Sequence, residues 1–385
     1  MKLKDKQIAI IGGGPGGLTL ARLLQQGGCK VTVYERDLNK NARVQGANLD
    51  LHEESGLAAL RKAGLMAAFY ANHLPDAGKL RITDHHGTIC LDDHQEGSIS
   101  ENRPEIDRGP LRKILLESLQ NDTVVWDSRF LSMEKANDGW RLHFHNKENV
   151  YADIVIGADG ANSKIRPYLS AIKPVYSGVT IIEGNIYEAE KSTPKLFNLL
   201  KGGKLFALGN EQSLILSTKG DGSIAFYTGE KVDENWVTES NINFKNIPEV
   251  KNWFVKSFPD WDVMWHELFT AEKTTIIPRP LFHYPPDQHW EPQSNLTIIG
   301  DAAHRMPPYA GEGVNMAMLD ALELSEILLD DKSGDTKAAF STYETKMLKR
   351  AAEVTAMTMV NTVALHSSGA LQYILEMFRS FDQQA

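Results

Sequence analysis

Residues 7–35 read QIAIIGGGPGGLTLARLLQQGGCKVTVYE. Gln7 to Ile11 is an apolar run without alternation, the pattern of a strand buried on both faces of a parallel sheet. Gly12-Gly13-Gly14-Pro15-Gly16-Gly17 follows and satisfies GxGxxG through Gly12, Gly14 and Gly17. Leu18 to Gln26 has helical spacing, and Gly27-Gly28 ends it. Lys30 to Glu35 is a second β-rich run, so the stretch is a βαβ unit. In such a unit the first glycine permits a tight turn, the second lets the backbone approach a pyrophosphate, and the third lets helix pack on strand. The pyrophosphate would sit over Pro15 and Gly16, where helix amides and dipole point at it. Glu35 stands where an acid accepts from a ribose hydroxyl, with Arg36 directly after it. The motif alone separates no flavin dinucleotide from a nicotinamide one.

Two further motifs lie downstream. Asp153 to Ile156 is a buried-type strand leading into Asp159-Gly160, with Ser163, Lys164 and Arg166 after it. Leu296 to Ile299 repeats the pattern and leads into Gly300-Asp301, then Ala302-Ala303-His304, Pro307-Pro308, Gly311, Gly313, Val314 and Asn315. A carboxylate at a strand end accepts from a sugar or ribityl hydroxyl. A helix starting at Gly313 presents amides to the polar edge of an isoalloxazine and stabilises negative charge there. His304 reads as a positioned structural residue, because flavin chemistry belongs to the cofactor.

Between these motifs the pattern changes. TIIEGNIYE, KLFALG, SLILST and SIAFYT, within 180–228, are short strand-like runs separated by turn residues, which predicts an antiparallel sheet. The expected fold is α/β: a three-layer Rossmann-like FAD-binding domain with an inserted antiparallel substrate domain and a C-terminal bridging helix. The FAD-binding domain is expected in three parts, 1–72, 102–176 and 276–334. The substrate domain takes 73–101 and 177–275. A helical segment, 335–385, follows, with Gly369 a break.

Composition narrows the classes. The chain has 385 residues, enough for two domains, and a formal net charge of −9. An acidic chain lacks the clustered Lys and Arg that nucleic-acid binding needs. The two cysteines, Cys29 and Cys90, form no CxxC, so neither a dithiol relay nor a thiolate metal site is expected, and no metal is. No apolar run is long enough for a signal-peptide core or a membrane span, so a cytoplasmic protein is expected, and a monomer.

GGGPGG with Glu35, the Asp159-Gly160 pair, and GDAAHRMPPYAGEGVNMAMLDALEL (300–324) occur in the order found in the group A flavoprotein monooxygenases, the aromatic-hydroxylase type with one FAD. The chain resembles that family over most of its length. Within it, ANLDLHEESG, ENRPEIDRGPLRKILLESL and IGDAAHRMPPYAGEGVN most resemble the Tet(X)-type tetracycline-inactivating enzymes. The resemblance implies non-covalent FAD contacted by Asp50, Arg108 and Asp301. It implies NADPH met by Arg43 and visiting rather than resident, since no second GxGxxG is present. It also implies oxygen insertion through a flavin C4a-hydroperoxide, with no catalytic side chain required. The substrate-gripping positions of the Tet(X) type correspond to Glu183, Lys204 and Ala225, with Phe206 beside them. Glu brings charge where that type has an amide, Lys replaces Arg, and Ala offers no hydrogen bond. These departures point to a polycyclic or phenolic substrate, with tetracycline inactivation expected only as a weak activity. The alternatives are a same-fold reductase or other oxidoreductase, or a drug-binding flavoprotein without turnover. The Trp-x-Trp-x-Ile-Pro pattern of flavin halogenases is absent.

Overall fold

The computed structural model describes residues 3, 5–42, 47–94, 103–271, 273–332 and 334–382. At its centre is a five-stranded sheet in the order Leu296–Ile298, Ile154–Gly157, Gln7–Ile11, Lys30–Tyr34, Val124–Val125. Every neighbouring pair is parallel. The middle strand buries Ile8 to Ile11, as its unbroken apolar run requires. The order reverses at this strand, so the loops after Gln7–Ile11, Lys30–Tyr34, Ile154–Gly157 and Leu296–Ile298 open at one edge. That edge is where ligands of open α/β sheets bind, and it gathers all three sequence motifs.

Helices cover one face of the sheet. Pro15–Gln26 and Gly313–Leu329 cross closely, and a Cβ on Gly16 would lie 2.9 Å from the Ala317 carbonyl oxygen. The other face carries a three-stranded antiparallel sheet of Phe130–Ala136, Gly139–Phe144 and Val150–Ala152, where Phe144 stacks on Tyr34 at 4.7 Å. The three layers are those expected.

The second sheet has seven strands, in the order Thr274–His283, Val175–Ile186, Ile224–Lys231, Gln212–Thr218, Lys204–Gly209, Leu80–Asp84, Ile89–Asp92. It is antiparallel except where Lys204–Gly209 meets Leu80–Asp84 in parallel. The boundary expected at 275 falls inside a strand of this sheet, which runs on to His283. Pro278 and Pro280 mask that strand in the sequence. They are tolerated because it lies at the sheet edge, where a missing N–H breaks no ladder.

Alternation divides the residues of this sheet between two faces. Ile182, Leu205, Leu216 and Phe226 pack outward against Val250, Phe254 and Trp265. Glu183, Lys204, Ser217, Ala225 and Tyr227 therefore project from the inner face. A ribbon of Leu49–Asp50 paired with Glu105–Ile106 lies over that face. The long helix Thr336–Leu365 starts at Asp335, whose side chain accepts from the Ala338 amide at 2.8 Å. After a break the helix Ala370–Asp382 packs its apolar side on Leu80, Ile82 and Leu208. Among the described residues no helix is long and apolar enough to cross a membrane.

Candidate cofactor and substrate site

The glycine turn closes on itself. Gly12 has φ +114°, and a Cβ there would meet the Ala158 carbonyl oxygen at 2.2 Å. A Cβ on Gly17 would meet the Gly12 carbonyl at 2.2 Å. Only glycine fits at these positions, and the turn is thereby pressed against the second motif. Gly14 differs, since a Cβ there meets nothing within 4 Å. Gly14 is also the N-cap of Pro15–Gln26 and has no side chain to cap it. An open cradle with unspent helix amides is what an anion needs. Glu35 is buried and accepts from the amides of Gly13 at 2.6 Å and Asp37 at 3.0 Å, which fixes the strand end beside the cradle. Arg36 is exposed. Arg43 lies outside the described residues.

Asp159 folds the second motif. Its Oδ2 accepts from the amides of Lys164 at 2.7 Å and Ile165 at 3.3 Å, while its Oδ1 is buried without a partner. Arg166 fastens this motif to the third. It donates to the carbonyls of Ala302 at 3.2 Å and Ala303 at 2.9 Å and to Gln288 at 2.6 Å, and lies 3.5 Å over the Tyr284 ring. Burial pulls its pKa down to about 10. No sequence signal marks this clamp.

Asp301 is exposed and accepts no hydrogen bond from the described residues. A Cβ on Gly313 would lie 3.9 Å from its Oδ1, so the carboxylate stands beside the start of the helix Gly313–Leu329. That helix has Glu312 at its N-cap and no side-chain cap, so the amides from Gly313 through Asn315 stay available. Pro308 and Gly311 form the exposed loop before it. Next to Asp301, the buried His304 points one ring nitrogen into the protein, while its Nδ1 has no hydrogen-bond partner among the described residues. Its Nε2 meets Asp320 at 2.6 Å, and Asp320 also accepts from the Gly300 amide and from Arg350.

Asn315 does more than lend an amide. Its side chain accepts from the His52 amide at 3.0 Å and donates to the Asp50 carbonyl at 2.9 Å. It thus pins the ribbon to the loop of the third motif. The Asp50 carboxylate lies against Gly311, whose added Cβ would be 3.7 Å away. His52 sits between Asp50 at 3.1 Å and Glu312 at 3.4 Å. Burial opposes charge on His52, but its bonds to Asp50 and Glu312 and their charges prevail, raising the pKa to about 9. Burial likewise works against ionised Asp50, yet the His52 bond and the charge of Lys204 bring it down to about 2. A histidine pKa raised on folding stabilises fully below its unfolded value of about 6.5, and that contribution is lost as pH rises through about 9. The urea midpoint should therefore fall between these pH values, and His52→Gln should flatten that slope. A wild-type midpoint constant across the window would refute the ion pairs. Arg108 donates to the Ala47 carbonyl at 3.2 Å, just before the ribbon.

Sequence reasoning passed over Asn48. It is buried, and neither Oδ1 nor Nδ2 has a partner among the described residues. Free groups at the cradle, at Asp301 and at Asn48 are what residues that hold a dinucleotide and a second ligand leave behind, and FAD fits this edge by that test.

The inner face of the large sheet carries the other candidates. Glu183 forms an ion pair with Arg279, and Lys204 one with Glu105 of the ribbon. In the second pair the carboxylate is buried and the lysine half-buried. Burial pushes Glu105 up to about 7 against the pull of Lys204, while the neighbouring acids outweigh burial and raise Lys204. Phe206 turns toward the Ala370–Asp382 helix with Leu208. Ala225 is 0% exposed, opposite Asn185 and Ser217. The four positions share one face, but Glu183 and Lys204 are already occupied by protein partners.

Comparison with known proteins agrees with this geometry. A family model described as FAD binding domain matches residues 5–197 and 289–358. Monooxygenase asqM of Emericella nidulans is 30% identical over 383 residues, covering 85% of this chain and 85% of that protein. The 3-amino-4-hydroxybenzoate 2-monooxygenase PtmB3 of Streptomyces platensis is 28% identical, covering 90% of this chain and 85% of its own length. The crystal structure of tetracycline destructase Tet(51) superposes with TM-score 0.75 at 16% identity, covering 98% of this chain and 96% of that one, a likeness of fold.

Proposed function

Given that this chain belongs to the FAD binding domain family, the FAD-dependent monooxygenases of aromatic-hydroxylase type, we propose that it consumes NADPH to place one oxygen atom of O2 on an electron-rich polycyclic or phenolic substrate. The observation that carries this reading is a continuous line of contacts. It runs from the free Asp301 carboxylate, past Gly313 and Glu312, through His52 and Asp50 to Glu105 and Lys204 on the sheet. The cofactor edge and the inner face of the second sheet are thus one site.

FAD, when bound, supplies the redox chemistry between nicotinamide and oxygen. The chain's own residues bind, orient and exclude water. The amides of Gly14 and Gly16 would hold the pyrophosphate, Asp301 would accept from the ribityl chain, and the start of the Gly313 helix would stabilise negative charge on the flavin. Asp50, Arg108 and Asp159 complete the cofactor contacts, and Arg43 meets NADPH. The ribbon and the Ala370–Asp382 helix cover the inner face, which keeps water from diverting reduced oxygen to peroxide.

The fold likeness to Tet(51) brings tetracyclines into the panel of substrates. Glu183 and Lys204 are spent on Arg279 and Glu105, and Ala225 has no polar group, so tetracycline loses partners here. We expect its turnover to be on the order of tenfold or more below that of the best phenol. The purified protein should be yellow and release FAD on denaturation. NADPH oxidation should quicken with substrate, and the product should gain one oxygen atom. Oxidation that no phenol or tetracycline accelerates, or protein that cannot be reconstituted with FAD, overturns the reading. Tetracycline turnover equal to that of the best phenol overturns the substrate argument alone.

A further inference from the structure

Near the Lys204–Glu105 pair, Oδ1 and Nδ2 of Asn48, Oε2 of Glu105 and Oγ of Ser217 are buried without a hydrogen-bond partner among the described residues. The three residues are 7%, 2% and 5% exposed. An unpaired buried polar group is expensive, so several together mark a place built for something that completes them.

Their positions converge. Asn48 directly precedes the ribbon strand Leu49–Asp50, between Ala47 and that strand. Asp50 pairs directly with Glu105, which puts the two on one side of the ribbon. Glu105 reaches Lys204 on the sheet. Ala47, at the other end of the ribbon, has its amide 3.3 Å from the Tyr227 hydroxyl, to which it donates. Lys204 and Tyr227 lie on the two strands that flank Gln212–Thr218. Ser217, on that middle strand, is the direct partner of both Lys204 and Ala225. The ribbon therefore spans the middle strand, with Asn48 above and Ser217 beneath.

We propose that Asn48, Glu105 and Ser217 form a receptor for one polar edge of the substrate, and that this edge is an amide or lactam, an N–H beside a C=O. The inference rests on the monooxygenase reading and adds a substrate class to it. A free carboxamide offers a donor and an acceptor side by side in one plane, and a cis amide returns the complementary pair. Glu105 Oε2 is a second acceptor for the N–H, and the Ser217 hydroxyl turns to suit either partner. A carboxylate, the other common two-point ligand, is disfavoured. Asp50 is already balanced by His52 and Glu105 by Lys204, and Lys219 is turned to Asn185 at 3.4 Å, so these cations are spent before a carboxylate arrives. A neutral edge adds no charge to this balance.

The test uses the FAD-loaded enzyme and two bicyclic probes of the same shape. 2-Quinolone carries a lactam edge, and 2-naphthol replaces it with a phenol. Binding of each is read from perturbation of the flavin absorbance, without turnover. The wild type should bind 2-quinolone about tenfold or more tighter. Asn48→Ala should reduce that preference to about twofold or less, by weakening 2-quinolone and leaving both 2-naphthol and FAD affinity unchanged. Ser217→Ala should move it the same way by a smaller factor, and stands as the test if Asn48→Ala does not fold. A wild type without the preference, equal weakening of both probes, or silence with both overturns the proposal. So does loss of FAD in Asn48→Ala, which would assign Asn48 to the flavin's own imide edge. Preference without oxygen insertion into any substrate would sink the monooxygenase reading and leave the lactam site standing.

Discussion

Asp320→Ala is expected to cost about 3–5 kcal/mol of folding stability and to loosen the cofactor edge with it. Asp320 is 0% exposed on the helix Gly313–Leu329. Its Oδ2 accepts from the Gly300 amide at 2.8 Å and from His304 at 2.6 Å, and its Oδ1 from Arg350 at 2.7 Å. Burial alone would push this carboxyl up. The charge of His304, its hydrogen bond and the charge of Arg350 outweigh burial and hold it below the usual range. Removing the carboxylate leaves His304 buried beside a cavity and the Gly300 amide without an acceptor. Arg350 loses less, because Glu323 holds its other arm at 2.8 Å. The stabilisation is present above the unfolded carboxyl value and is lost as pH falls through the folded one. Asp320→Asn should cost less than alanine, since it keeps one acceptor. Urea denaturation with fluorescence of released FAD measures both effects. An alanine variant within about 1 kcal/mol of the wild type would show that the network contributes little.

What the sequence revealed, and what it hid, follows from how local each feature is. The glycine turn, Glu35, Asp159 and Asp301 sit at strand ends a few residues from their own motifs, so spacing alone located them. His304 could be set aside as structural because the chemistry belongs to the flavin, though Asp320, its partner, was invisible. The ion pairs were not legible. Lys204 and Glu105 are 99 residues apart, and Glu183 and Arg279 are 96. A lysine on a strand looks the same whether it greets a substrate or a carboxylate from another segment. The ribbon strands have two residues each, too short for any periodicity. Asn48 therefore had no signal of its own. Its significance appears only when the ribbon is laid over the sheet and its two polar atoms are found without partners. The edge strand Thr274–His283 was hidden by its prolines, a case where the rule against proline in strands yields to the absence of a neighbour. Asn315 was read as part of a helix start. Its side chain, spent on His52 and Asp50, is what joins the cofactor loop to the substrate face.

Asp301→Ala should weaken FAD binding by roughly fivefold to 150-fold, the span of about 1–3 kcal/mol expected when a charged acceptor is taken from bonded hydroxyls. Asp320, on the helix Gly313–Leu329, provides the contrast. Asp320 is buried and fully bonded to protein, so its loss is a folding loss. Asp301 is exposed and takes no hydrogen bond from the described residues, so the folded chain gives up little when it goes. Its position is nonetheless fixed. The amide of the preceding Gly300, at φ +62°, is held by Asp320, and the carboxylate ends 3.9 Å from where a Cβ on Gly313 would stand. A carboxylate without protein partners, held at the start of an uncapped helix, is placed for a ligand rather than for the fold. The apoprotein of Asp301→Ala should thus unfold at the wild-type urea concentration, while its FAD dissociation constant rises. Asp301→Asn, which keeps an acceptor without the charge, should fall between. A lowered apoprotein midpoint with unchanged FAD affinity would make Asp301 a structural residue and remove it from the cofactor site.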